Sequence, residues 1–192
     1  MGIIMNKLLL ILSLTIVCLG GCVTNEFAYE QIAKTPKYFQ SNIGPVKAEP
    51  FSPFSLILAG YVNSNEPNCP IHLFRFKNNF IVWHEAFHSF EMKSYLERND
   101  EWKLFQNEFG DDHYLNHLVT LVMTIVPFIE YTPYPGKVRF YGNMSKIEDT
   151  ADCFAYWMKI QQGKKPRKDK ILQRKLAAIE KFVTGSYILG EY

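Results

Sequence analysis

The residues best suited to chemistry stand in one pentapeptide, His84-Glu85-Ala86-Phe87-His88. Two histidines four residues apart on a helix project their imidazoles from one face, so both can bind a single ion. Neutral imidazole nitrogen is a good ligand for zinc. Glu85 lies between them, where its carboxylate can take a proton from a water whose pKa the ion lowers. The pattern predicts hydroxide generated near neutral pH. A catalytic zinc takes three protein ligands and keeps one position for water, so a third ligand has to come from elsewhere. Glu148, in Tyr141-Gly-Asn-Met-Ser145-Lys-Ile-Glu148-Asp149-Thr-Ala-Asp152, is the leading candidate. Glu91 is a poorer one, because it shares the helix with both histidines and is badly placed to close a tetrahedron. Glu148 also has a structural reading: Ser145-Lys-Ile-Glu148 fits a capping box, in which the glutamate bonds back to the Ser145 backbone. His113 and His117 form a second pair at the same spacing, but no glutamate stands between them in the base position, and they read as core-edge or surface histidines. His72 has no evident partner.

The glycine and third histidine of the metzincin pattern are absent after His88. HEAFH and the Tyr141, Glu148, Asp152 window together resemble the gluzincin group of zinc metallopeptidases, in which a glutamate on a later helix completes the metal site. Within that group the sequence is most similar to lethal-factor-like and Pro-Pro endopeptidase zincins, which carry a tyrosine seven residues before the glutamate and an acidic residue four after it. The likeness covers two short windows. It implies a compact α+β zincin-like domain, a Zn2+ cofactor held by His84, His88 and Glu148, and hydrolysis of a peptide bond in a peptide or protein substrate. It further implies that the Tyr141 hydroxyl stabilises the oxyanion and that Asp152 accepts a hydrogen bond from a ligand imidazole. Tyr131 and Tyr134, on the preceding loop, are alternatives to Tyr141.

The elements that must position these residues can be read from periodicity and punctuation. Phe54 to Val62 and Ile71 to Phe76 read as two strands of a small sheet, separated by turn residues. Asn78 or Asn79 caps a helix to about Arg98, with Phe80, Trp83, Phe87, Phe90 and Tyr95 recurring near helical spacing. A shorter helix runs from Asp100 to Phe109, stopped at Gly110. Asp111 or Asp112 opens an almost wholly apolar helix that Pro127 ends. Tyr131 to Gly142 reads as a loop containing a short strand over Lys137 to Tyr141. Helices then run from about Ser145 to Gly163 and from Arg167 to Val183. The seven Lys or Arg residues between Lys164 and Lys175 read as a solvated face, with contact to anionic lipid head groups as the alternative.

At the N-terminus, Lys7, the apolar run Leu8 to Val17 and the small-residue end Leu19-Gly20-Gly21-Cys22 form a targeting segment. That end resembles a bacterial lipobox, which implies cleavage before Cys22 and lipid attachment to its thiol. The reading divides the chain into a signal peptide (1–21), a polar, proline-dotted tether (22–50) and a catalytic domain (51–192). It places the protein at the cell envelope, lipid-anchored, on the outer membrane or cell surface. Lys and Arg total 21 against 19 Asp and Glu, so the global basic excess of nucleic-acid binders is absent. Cys69 and Cys153 are candidates for a disulfide in an oxidising compartment, the alternative being two buried thiols. No feature of the sequence sets an oligomeric state. Two other functions share the metal logic: a non-catalytic envelope binding module, and a zinc amidase acting on cell-wall material. An intact Glu85 argues against a pure scaffold, which has no chemical need for a carboxylate between its ligands.

Overall fold

The computed structural model describes residues 22–49, 59–74, 77–109 and 134–187. Its elements are α1 (Asn25–Ile32), α2 (Lys37–Ser41), β1 (Val46–Ala48), β2 (Gly60–Val62), β3 (Ile71–Leu73), α3 (Asn79–Glu97), α4 (Asn99–Phe109), α5 (Lys146–Gln161) and α6 (Lys170–Thr184). A 3-10 turn over Phe140–Asn143 precedes α5. The class is α+β, as the sequence leads one to expect. No described helix is long and apolar enough to cross a membrane. The signal segment, most of the first predicted strand, the apolar helix with His113 and His117, and Tyr131 lie outside the described residues.

Helix α3 forms where the aromatic spacing and the Asn78 cap predict it, with the Asn78 side chain accepting from the Phe80 N–H at 2.9 Å. It is buried on nearly every side over Phe80–Phe87, which makes it the axis of the domain and not an amphipathic surface helix. Its far end is tied down by Arg98, which donates to Ser94 Oγ, Asn42 Oδ1 and Glu101 Oε2. Helix α5 and the sheet both pack against α3. In the sheet, β3 is central, parallel to β1 and antiparallel to β2, with Val46 opposite Ile71 and Gly60 opposite Leu73.

The segment read as a tether folds instead into α1, α2 and β1. Val23, Ala28, Ile32, Phe39 and Val46 all belong to the core, and Trp83 Nε1 on α3 donates to the Gln31 carbonyl at 3.1 Å. Each apolar side chain taken from water there is worth about 1.5–3 kcal/mol, which outweighs the polar composition of the segment. Phe39, Phe90, Phe154, Phe105 and Phe182 stack around the centre, with Phe105 and Phe182 ring centroids 4.1 Å apart.

Three further expectations are corrected. Cys69 and Cys153 are free and buried, so the disulfide is not formed. Burial, reinforced by the nearby Asp149 charge, pushes the Cys153 thiol up and keeps it protonated. Lys175, read as part of a solvated face, is fully buried. Its Nζ and that of Lys137 each lie 2.7 Å from Asp149 Oδ2. Lys137 to Tyr141 is no strand: Lys137 and Arg139 turn their side chains onto acids of α5, and the chain then winds into the 3-10 turn.

Candidate metal centre

Helical geometry puts His84 and His88 one turn apart on the face of α3 that meets the start of α5, and Glu148 arrives there from the first turn of α5. His84 Nε2, His88 Nε2 and Glu148 Oε2 form a triangle with sides of 3.0, 3.1 and 3.3 Å. Tetrahedral bonds of about 2.0–2.1 Å have ligand-to-ligand edges of roughly 3.3 Å, so the triangle has the dimensions of one face of a zinc-sized tetrahedron. The three side chains can hold a metal ion. Glu91 is not part of this convergence, since its carboxylate is engaged by Gln106 and Thr150.

Of the two roles set against each other for its side chain, Glu148 takes the one beside the histidines. Its backbone N–H donates to Ser145 Oγ at 3.2 Å, completing the N-cap, while its carboxylate faces the histidines. Burial raises the Glu148 carboxyl pKa, but the hydrogen bonds and charges of His84 and His88 outweigh it and hold the group well below the usual carboxylate range.

Behind His84, Asp152 Oδ1 lies 2.9 Å from Nδ1. An Nδ1–H donated there leaves the Nε2 lone pair directed at the triangle, the arrangement that fixes tautomer and ring orientation in metal-binding histidines. Burial alone lowers the His84 pKa, but the carboxylates of Asp152 and Glu148 outweigh it and raise it to about 9. Asp152 is itself held by Arg139, whose Nε is 3.0 Å from both carboxylate oxygens and whose Nη2 also bonds Oδ1. That guanidinium sits 4.3 Å over the Phe80 ring. Arg139 is the residue that sequence reasoning missed; the available signal was a lone Arg at alternate spacing with Lys137 and Tyr141.

Glu85 is buried beside the triangle, and burial raises its carboxyl pKa, with Glu148 adding to the rise and the His84, His88 and Arg139 charges opposing it. Strand β2 reaches it through Gly60: a Cβ there would stand 2.7 Å from Glu85 Cγ and 2.9 Å from the His72 carbonyl. Tyr141 places its ring 5.8 Å from that of His84. Burial, with the charges of Glu148, Glu85 and Asp152, raises its hydroxyl pKa and keeps it a proton donor. Tyr134 is exposed and lines no part of the cavity described next. His72, without an evident partner in the sequence, pairs with Glu49 at 2.8 Å and stacks on Tyr61.

His84, His88, Glu148, Glu85 and Tyr141 open into one cavity of about 630 Å³, bounded on the sheet side by Gly60 and Tyr61. That is the size of a site for a small molecule or a few peptide residues. Comparison of the chain with family models, with curated proteins and with solved structures finds no match.

Proposed function

We propose that this chain is a zinc-dependent endopeptidase of the cell envelope. The observation that carries the reading is the His84, His88, Glu148 triangle, sized for a tetrahedral ion, with the buried Glu85 carboxylate and the Tyr141 hydroxyl in the same cavity. Two imidazoles and one carboxylate form a donor set used by catalytic zinc, and a zinc ion bound there supplies a Lewis acid that brings the pKa of water near neutrality. Glu85 accepts the proton of the attacking water and returns it to the leaving amine. Burial, which raises its pKa, favours its holding the proton between the two transfers. Tyr141 donates its hydroxyl proton in a hydrogen bond to the oxygen on which negative charge develops. Asp152, backed by Arg139, keeps the His84 ring oriented throughout. Among the described strands β2 is an edge, pairing only with β3, and it borders the cavity. An extended peptide can add to that edge through backbone hydrogen bonds, with its scissile bond over the triangle.

The envelope location rests on the lipobox resemblance at Cys22. Val23 is already a core residue and α1 begins at Asn25, so a lipid on Cys22 holds the domain directly against the membrane with no spacer. Hydrolysis of a peptide library by the zinc-loaded chain tests the activity. Cleavage that falls about 10²–10⁴-fold in Glu85→Gln, with zinc content unchanged, supports the proposal. No cleavage of any peptide by a zinc-loaded, folded chain leaves the non-catalytic binding module as the better reading.

A further inference from the structure

The cavity does not end at the triangle. Along α3 it is lined in succession by His84, His88, Glu91, Met92 and Tyr95, and Trp102 of α4 closes that far end. From His84 to Tyr95 the helix rises roughly 16 Å at its usual pitch, so the far end lies beyond the reacting bond by more than one residue of an extended peptide. The walls there are apolar and aromatic: Tyr95 and Trp102 meet edge to face with centroids 5.0 Å apart.

One charged group stands in this apolar wall. Glu91 is 4% exposed, and its partners are neutral. Gln106 Nε2 donates to Oε1 at 2.6 Å, Thr150 Oγ donates to Oε2 at 2.9 Å, and the Trp102 side chain also hydrogen-bonds it. Among the described residues it makes no ion pair. A buried carboxylate ordinarily has a cationic partner, because neutral donors return only part of the solvation it gives up. Burial pushes its carboxyl up to about 7, against the opposing His88 charge and the donors from Thr150 and Trp102. A carboxylate that lines the same cavity as the Tyr95 and Trp102 rings offers a cationic side chain a counter-charge, and the rings offer its apolar stem a surface to pack on.

We infer that the Glu91, Tyr95, Trp102 end of the cavity is a specificity subsite for a lysine or arginine side chain of the substrate. The inference rests on the peptidase reading for its substrate class, but the subsite can be tested by binding alone. The probes are short peptide hydroxamates, which anchor on zinc, carrying lysine, arginine, norleucine or glutamate at the position next to the hydroxamate or the one beyond it. Their affinities for the zinc-loaded full-length chain in detergent are measured by calorimetry. Lysine or arginine is expected to bind about tenfold or more tighter than norleucine at one of those positions, the worth of a hydrogen bond to a charged group, with glutamate weakest. In Glu91→Gln the lysine-to-norleucine ratio should collapse towards one. Because Glu91 also ties α3 to α4 and α5, the ranking in the unmutated chain decides the matter even if that variant fails to fold. Norleucine binding as tightly as lysine at both positions, or no hydroxamate binding at all, overturns the subsite. Cleavage of the matching plain peptides is scored separately: a lysine preference in binding without cleavage keeps the subsite and removes the peptidase.

Discussion

Replacing Arg139 by methionine tests what holds the Asp152–His84 pair in place. The guanidinium contacts both oxygens of a carboxylate that is fully buried, and Arg139 is itself only 7% exposed. Methionine preserves much of the apolar stem and removes the charge that sits over Phe80. Asp152 then keeps His84 as its neighbour but loses its permanent cation. Breaking a buried pair from one side costs about 3–5 kcal/mol, because the remaining charge is left uncompensated. In a domain of this size each kcal/mol shifts the melting temperature by about 2–4 °C, so the variant should melt roughly 6–20 °C lower. The assay is thermal and urea unfolding followed by circular dichroism, in chelator, so that bound metal does not mask the loss. Adding Asp152→Asn removes the stranded charge, and the double variant should be more stable than the single one. Zinc affinity should be about 10–100-fold weaker in the double variant, in which His84 has lost its orienting carboxylate. A single substitution costing less than about 1 kcal/mol, the scale of a surface ion pair, would refute the reasoning. So would a double variant less stable than the single.

Gly60→Ala places a methyl group 2.7 Å from Glu85 Cγ, so peptide hydrolysis should fall about a hundredfold while zinc content stays the same, measured as kcat/KM beside elemental analysis. Asp149→Ala leaves the buried Lys137 and Lys175 without their shared carboxylate and should cost about 3–5 kcal/mol in urea unfolding; an unchanged midpoint would show the triad to be energetically idle. The metal-free chain should lose stability with rising pH, because the folded-state pKa of His84 lies at about 9, above the unfolded value near 6.5. The His84 contribution is complete below about pH 6.5 and is lost as pH rises through about 9, and unfolding in chelator across that window should flatten in His84→Ala.

The parts of this site legible in the sequence are those set by local spacing. Asn78 and the aromatic run specify α3, and a helix then dictates that His84 and His88 share a face. Ser145 specifies the start of α5, while Glu148 is singled out from the other acids by the family resemblance that Tyr141 and Asp152 carry and not by spacing alone. What stayed hidden depends on tertiary partners. Arg139, Lys137 and Lys175 look like solvated cations until α5 presents Asp152 and Asp149 to them; no local pattern marks a basic side chain for burial. The α1, α2 and β1 segment was illegible for a different reason. Its core residues are spread over three elements of eight residues or fewer, too short for a period to emerge. Gly60 passes in sequence as one residue of the predicted strand Phe54 to Val62, and only the packing of β2 on α3 shows that a side chain there would strike Glu85.

The central claim is that His84, His88 and Glu148 hold one zinc ion. Its most direct test is elemental analysis of the purified full-length chain, alongside His84→Ala and Glu148→Ala. The account predicts close to one zinc per chain, lost or sharply weakened in both variants. A folded, unmutated chain that takes up no zinc when metal is supplied would contradict it.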